Sequence, residues 1–248
     1  MIESKENKIY KQAKSLLRRQ SREKEGLFLA EGLRLVTDAI TAGCVNQLLL
    51  SEDFHGDIPE NISVNFLSKK LFLKIAETST PQGIIAICRS NYPKEVLAKE
   101  ASFVLICDKI TDPGNMGTIL RTAEAAGVDA VVLSEECVDL YNAKTIRSTM
   151  GSIFRINTVQ INHPAAHLKS QGFRIIASRL EESTDLTATN FTGKVAIVIG
   201  NEANGISSET TREADSFVRI PMSGAVESLS VASAAAILLY EARRQRHE

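Results

Sequence analysis

What this chain has little of narrows it before any motif is considered. No apolar run approaches the roughly 18 to 20 residues of a spanning helix, and the amino terminus is polar and charged, so neither a membrane span nor a secretory signal is expected. There is no excess of either charge: 29 lysines and arginines face 30 aspartates and glutamates, for a formal net charge of −1. That balance excludes a uniformly basic nucleic-acid binder and leaves room for a local basic patch. Cysteine is sparse. Cys44, Cys88, Cys107 and Cys137 are scattered without a close pair, each in or near an apolar stretch, which reads as reduced buried thiols in a cytoplasmic protein. With only His55, His163, His167 and His247 present, no Ser-His-Asp arrangement can be argued. His163 and His167 lack an intervening glutamate or a third ligand, so they read as surface histidines near a helix start, and no metal is expected. Neither a G-x-G-x-x-G nor a Walker loop occurs, and Gly114-x-x-Gly117 alone is no dinucleotide fingerprint. No internal repeat or low-complexity tract is present.

What is there is an alternation of short apolar runs and helical patterns along 248 residues, enough for one large or two modest domains. Residues 1–24 carry eight basic side chains against Glu3, Glu6 and Glu23. Ile9, Ala13, Leu16 and Leu17 recur there at helical spacing, leaving the basic residues mostly on the other face. That face is either simply solvated or a phosphate-contacting surface. A short strand and a break are then predicted over 26–32, further strands at 45–50, 63–67 and 84–88, and helices at 33–42 and 69–77, which makes a compact α/β unit of about ninety residues. Residues 91–102 are polar, charged and broken by Pro93, as a boundary should be. A second alternation follows. It has strands at 103–107, 130–133, 153–159 and 173–177, helices at 118–126, 142–150 and 164–170, and Asp112-Pro113-Gly114-Asn115 as a turn. The pattern predicts a parallel sheet covered by helices.

The last fifty residues organise the rest. Val195–Ile199 is a β-branched run that ends at Gly200 and feeds the polar loop Asn201–Gly205. Ser216–Ile220 reads as a second strand, stopped by Pro221. A Gly/Ser-rich loop over Met222–Ser228 then leads into a long apolar helix, about Leu229–Arg246. In open α/β sheets, ligands bind where strand ends feed loops and helix N-termini.

The stretches IVIGNEANGIS and IPMSGAVESLSVASAAAILLYEA resemble the second and third motifs of SpoU-type (TrmH-type) RNA 2′-O-methyltransferases of the SPOUT class, and LICDKITDPGNMGTILRTAEAAG resembles the first. Toward the amino terminus, Arg19-x-x-Arg22, Phe28-Leu29-Ala30-Glu31-Gly32 and Thr80-Pro81-Gln82-Gly83 resemble that family's substrate-binding domain. The resemblance implies an α/β protein in two parts. A ribosomal-protein-like α/β RNA-binding domain over 1–92 precedes a SPOUT α/β-knot methyltransferase domain over 96–248, with the deep trefoil knot holding S-adenosylmethionine as methyl donor. It also implies a homodimer and RNA as substrate, ribosomal RNA ahead of transfer RNA. An RNA-binding or ribosome-assembly protein that keeps the fold without the chemistry is the further alternative.

The site residues follow from the same resemblance. Asn115, Arg121, Glu202, Ser228 and Ser230 match catalytic motif positions, and Gly200, Ile220, Met222 and Leu229 match donor-binding positions. From the residues alone, Ile220 and Leu229 would be called core, Asn115 a turn residue, and Arg121 and Glu202 solvated. Recognition of the donor by backbone amides is what lets plain apolar residues serve as ligand residues. A guanidinium stays protonated, so phosphate capture and hydroxyl orientation suit Arg121 better than proton abstraction. Lys11, Lys14, Arg18, Arg19 and Arg22 are the expected RNA contacts. One position departs from the family: Ser228-Leu229-Ser230 stands where Ser-Leu-Asn is usual.

Overall fold

The computed structural model describes residues 1–57, 60–90, 99–201, 203–223 and 228–247. The chain opens with helices α1 (Lys8–Ser15) and α2 (Arg19–Glu25), then β1 (Leu27–Glu31), α3 (Leu33–Thr41), β2 (Val45–Ser51), β3 (Val64–Leu67), α4 (Lys69–Phe72) and β4 (Ile84–Arg89). It continues through β5 (Phe103–Asp108), α5 (Pro113–Ala126), β6 (Ala130–Leu133), α6 (Ala143–Thr149), β7 (Thr158–Gln160), α7 (Pro164–Ser170) and β8 (Arg174–Ser178). It closes with β9 (Thr184–Asp185), β10 (Val195–Gly200), α8 (Ser208–Glu213), β11 (Ser216–Arg219) and α9 (Val231–His247). Two compact units result: Met1–Tyr92 with Asp139–Arg155, and Pro93–Val138 with Ile156–Glu248. Segment Asp139–Arg155 therefore packs with the first unit although its sequence neighbours belong to the second. Among the described residues no helix is long and apolar enough to cross a membrane.

In the first unit the sheet order is β1-β4-β2-β3, antiparallel except for β2 with β3. Alternation along the strands sends Leu49, Ile85 and Ile87 to one face, where Tyr10 and Ala13 of α1 and Leu16 just after it close over them with Leu67, Leu71, Phe72 and Ile75. The basic amino-terminal stretch was expected as one helix, but it breaks at residues 16–18, where Arg18 is extended. Arg22 explains the break. Its Nη1 donates to the Leu16 carbonyl at 2.7 Å, satisfying an acceptor at the end of α1, while Nε and Nη2 donate to Asp139 at 3.1 and 2.6 Å. That pair and the Phe28 ring, 4.6 Å from Tyr141 and 6.2 Å from Phe154, fix segment Asp139–Arg155. The helix expected over 69–77 stops at Phe72 and continues only as turns. The strand expected over 153–159 is instead a 3-10 turn at Ser152–Phe154 followed by β7, because Met150 and Gly151 both have positive φ (50° and 89°) and turn the chain there.

The second unit is a parallel seven-stranded sheet in the order β7-β6-β5-β10-β8-β11-β9. β5, β6 and β10 are buried along their whole length, as apolar β-branched runs in a covered parallel sheet should be. Asp112–Asn115, expected as a turn, is the start of α5. Asp112 caps the helix by accepting from the Asn115 amide at 2.8 Å, and Pro113 fills the first helical position, where no amide is needed. The short polar helix α8, capped by Ser207, has no apolar period to announce it. α9 buries Val231, Ala235, Leu238, Leu239 and Ala242 on one side and packs on α5. Because every strand is parallel, the carboxyl ends of β8, β10 and β11 open on the same side as the first turn of α9.

Candidate active site

Those carboxyl ends enclose a cavity of about 480 Å³, within the roughly 300–1,000 Å³ of small-molecule sites. Arg179 to Glu181 after β8, Gly200 and Asn201 after β10, Asn204 to Ile206 beyond, Ile220 and Met222 after β11, and Ser228, Leu229, Val231, Ala234 and Leu238 at the start of α9 line it. Its walls are mostly apolar, and its rim carries Arg179, Asn201, Asn204 and Arg219.

The loop after β10 is built by backbone contact. Asn201 and Gly205 exchange amide-to-carbonyl hydrogen bonds at 2.9 and 2.8 Å. This folds the chain back so closely that a Cβ at Gly200 would lie 2.3–2.4 Å from the Gly205 and Ile206 backbone. Gly205 completes the turn at φ 65°. The Asn201 side chain accepts from the amides of Ala203 (2.9 Å) and Asn204 (3.3 Å) and donates to the Lys109 carbonyl at 3.0 Å, bracing this loop against the one after β5. Asp108, buried at the end of β5, accepts from the Ser207 amide at 2.8 Å and the Thr210 hydroxyl at 2.7 Å, anchoring α8. Neither Asn201 nor Asp108 is among the expected site residues, although both fall within the quoted motifs, each at the end of a buried apolar run. Arg219 pairs with Asp185 at 2.6 Å and Arg179 with Glu182 at 2.8 Å, while the Arg179 guanidinium stacks 3.8 Å from the Phe217 ring centre.

Gly200, Ile220, Met222 and Leu229, the four residues expected at the donor, all line this one cavity, and so does Ser228. Ser230 sits at the start of α9, where its hydroxyl accepts from the Ser233 amide at 3.1 Å and its carbonyl accepts from the Ala234 amide at 2.9 Å. The serine that replaces the usual asparagine thus caps the helix. Asn115 and Arg121 are not among the lining residues. Asn115 lies in the first turn of α5, and Arg121, further along that helix, is exposed. Glu202 lies outside the described residues. The cavity fits S-adenosylmethionine in kind: apolar side chains flank a slot bordered by strand-end and helix-start backbone, where amides and carbonyls can read an adenine edge.

Of the expected RNA contacts, Lys11, Lys14, Arg18 and Arg19 are exposed. Lys11 pairs with Glu6, Arg19 pairs with Glu23 at 2.7 Å, and Lys14 donates to the Lys74 carbonyl. Arg22 must be removed from that set. Its side chain is 8% exposed and is spent on Asp139 and Leu16, so no phosphate can reach it. The cysteines also differ from their scattered sequence positions. All four are free, but β2 and β4 bring Cys44 and Cys88 together, and the Cys88 thiol is pushed well up, first by Cys44 beside it and then by burial. Burial first, then Cys137 and Asp108, likewise pushes Cys107 up, which leaves it an inert thiol. His163 pairs with Glu209, and no metal-binding group of side chains occurs among the described residues.

Comparison with known proteins adds a second line of evidence. The profile described as the SpoU rRNA Methylase family matches residues 102–240, and one described as an MRM3-like substrate binding domain matches residues 7–86. The 23S rRNA (guanosine(2553)-2'-O)-methyltransferase RlmP of Bacillus subtilis is 38% identical over 247 residues, covering 98% of each chain. The crystal structure of an AdoMet-bound rRNA methyltransferase from Sinorhizobium meliloti superposes with a TM-score of 0.85 at 30% identity, covering 98% of this chain and 97% of that one. The SpoU methyltransferase AviRb from Streptomyces viridochromogenes, in complex with AdoMet, gives 0.85 at 27% identity and covers 98% and 99%.

Proposed function

The chain belongs to the SpoU rRNA methylase family, and from that premise we propose that it methylates the 2′-hydroxyl of a ribose in ribosomal RNA, using S-adenosylmethionine, at a guanosine of the large subunit. The observation that carries this is the cavity at the ends of β8, β10 and β11, which gathers the four donor-motif residues. The guanosine rests on the 38% identity to a 23S rRNA guanosine 2'-O-methyltransferase over 98% of both chains.

In this reading Gly200, Ile220, Met222 and Leu229 hold the donor, which supplies an electrophilic methyl group when bound. Ile220 and Leu229 flank the adenine ring, and the backbone at the strand ends reads its edge. Arg121 grips an RNA phosphate through its fork of donors and turns the ribose hydroxyl toward the donor. Asn115 and Glu202 orient that hydroxyl, and Ser228 and Ser230 hold the loop at the head of α9. Positioning of this kind can supply much of a transfer rate. The exposed Lys11, Lys14, Arg18 and Arg19 of the first unit hold the RNA backbone.

A homodimer belongs to the same proposal. Arg121 lies outside the cavity that would hold the donor, and α9 exposes Ile237 (38%) and Tyr240 (72%) on the side away from its buried stripe. A second copy covering that face would meet both needs. The return of β10 to the middle of the sheet, between β5 and β8, supports the knotted path of the family. A cytoplasmic location fits a protein whose substrate is ribosomal RNA.

The test is transfer by the full chain from methyl-labelled S-adenosylmethionine to large-subunit ribosomal RNA lacking ribose methylation, followed by digestion to nucleosides. Label in 2′-O-methylguanosine is expected. Label in a base, or none, overturns the proposal.

A further inference from the structure

The amino-terminal segment, α1 and α4 converge on one lysine-rich surface of the first unit. Ile2 pairs with Leu67 beside β3: its amide donates to the Phe66 carbonyl at 2.7 Å, and its own carbonyl accepts from the Ser68 amide at 3.0 Å. Lys5 follows three residues on and lies alongside Lys74, in the turn after α4. Tyr10 and Ala13 of α1 and Leu16 at its end are buried against Leu67, Leu71, Phe72 and Ile75, which leaves Lys14 exposed at the rim, with its Nζ donating to the Lys74 carbonyl. Leu71 and Phe72 anchor α4 inward, which leaves Lys70 exposed on the helix and Lys74 exposed in the turn that follows it. Each segment is pinned by apolar contacts, and each contributes a cation to the same place.

We propose that Lys5, Lys14, Lys70 and Lys74 form an anion-binding surface that grips the phosphate backbone of the RNA substrate, an assignment that rests on the reading that this chain acts on RNA. Other cations of the unit are paired with carboxylates: Lys69 with Asp53 at 2.8 Å, Lys11 with Glu6, Arg19 with Glu23 and Arg22 with Asp139. Among the described residues these four lysines have no carboxylate partner. Their mutual repulsion shows at Lys74, whose ammonium is pushed below the usual lysine range, first by Lys5 alongside it, then by desolvation and by Lys70 and Lys14. In a chain of net charge −1, four neighbouring cations without counter-charge cost the free fold and favour a polyanion. Lys14, Lys70 and Lys74 lie inside residues 7–86, matched by the substrate-binding profile. Lys5 and Lys14 belong to the basic amino-terminal stretch, and Lys70 and Lys74 to a segment far along the chain, so only the fold brings the two pairs together.

The test compares wild type, K5A/K14A/K70A/K74A, the four corresponding Lys→Arg changes, and K24A/R34A as exposed cations elsewhere on the same unit. Binding to fluorescent large-subunit ribosomal RNA is measured against salt, alongside melting temperature and S-adenosylmethionine affinity. At roughly 0.7–0.9 log units of salt slope per phosphate contact, the alanine variant should lose about 2–4 units of slope, and at low salt at least about tenfold in affinity. Its melting and donor affinity should be those of wild type, the arginine variant should keep the slope, and K24A/R34A should leave it unchanged. An alanine variant that binds RNA like wild type overturns the patch while leaving RNA methylation standing, and an arginine variant as weak as the alanine one overturns it too. Wild type that binds no RNA overturns both readings. Patch-dependent binding to anionic lipid vesicles, with RNA binding unaffected by the alanine changes, also overturns the proposal.

Discussion

Gly200→Ala isolates what the loop after β10 requires. Gly200 is not in the left-handed region, so alanine is conformationally acceptable there and any penalty is steric. The added Cβ would sit 2.3 Å from the Gly205 carbonyl carbon and 2.4 Å from the Gly205 oxygen and the Ile206 nitrogen. All three are backbone atoms of a turn closed by the Asn201–Gly205 hydrogen bonds, so no side chain can swing aside. Reaching ordinary contact at 3.4 Å needs a retreat of 3.4 − 2.3, about 1.1 Å. Overpacking of this kind costs roughly 1–3 kcal/mol. At about 2–4 °C per kcal/mol for chains of this size, melting should fall by roughly 2–12 °C. The displaced loop carries one wall of the cavity proposed to hold the donor, so calorimetric affinity for S-adenosylmethionine should fall as well, and transfer should fall by up to about a hundredfold, as misplacement of about 1 Å can cause. A variant that melts within 1 °C of wild type and binds donor normally would refute the claim that close backbone approach shapes the site.

Asp139→Ala leaves Arg22 buried without its counter-charge and should cost about 3–5 kcal/mol in urea denaturation, whereas R22M/D139L should cost clearly less; a loss below about 1 kcal/mol for the single change would show the pair is dispensable. Arg121→Ala should leave donor affinity within a few fold and lower transfer by about a hundredfold, while equal loss of both would mean a folding defect. Ser230→Ala should cost about 0.5–2 kcal/mol through loss of the α9 cap. Ser230→Asn keeps a capping oxygen and should transfer at a similar or higher rate, and inactivity of Ser230→Asn would contradict the capping role. Asp53 should titrate at about 2, held down first by Lys69 and then by Ser51. Its stabilisation is complete above the unfolded carboxylate value of about 3.9 and is lost as pH falls through about 2; an NMR midpoint near 4 would show that the Lys69 contact is absent in solution.

The parts of the fold that were legible in the sequence are those where burial dictates composition. β5, β6 and β10 are continuous apolar runs buried throughout, and their ends were predicted to within a residue. The site motifs were legible through family resemblance rather than periodicity, since Ile220 and Leu229 look like core. Local capping hid the start of α5, because Asp112-Pro113-Gly114-Asn115 satisfies turn and helix-start chemistry equally. Long-range pairing hid the rest. Nothing near Arg22 in sequence announces Asp139, 117 positions away, as its partner, and Cys44 and Cys88 meet only because β2 pairs with β4. That Asn115 and Arg121 do not line the cavity at the ends of β8, β10 and β11 is a property of the assembled sheet and could not be read from motif order.

Ribose-methylation mapping of ribosomal and transfer RNA from cells with and without the gene tests the central claim most directly. One guanosine of large-subunit ribosomal RNA is expected to lose its 2′-O-methyl group when the gene is removed, and to regain it with the wild-type chain but not with Arg121→Ala. An unchanged ribosomal RNA pattern, or a loss confined to transfer RNA, would contradict it.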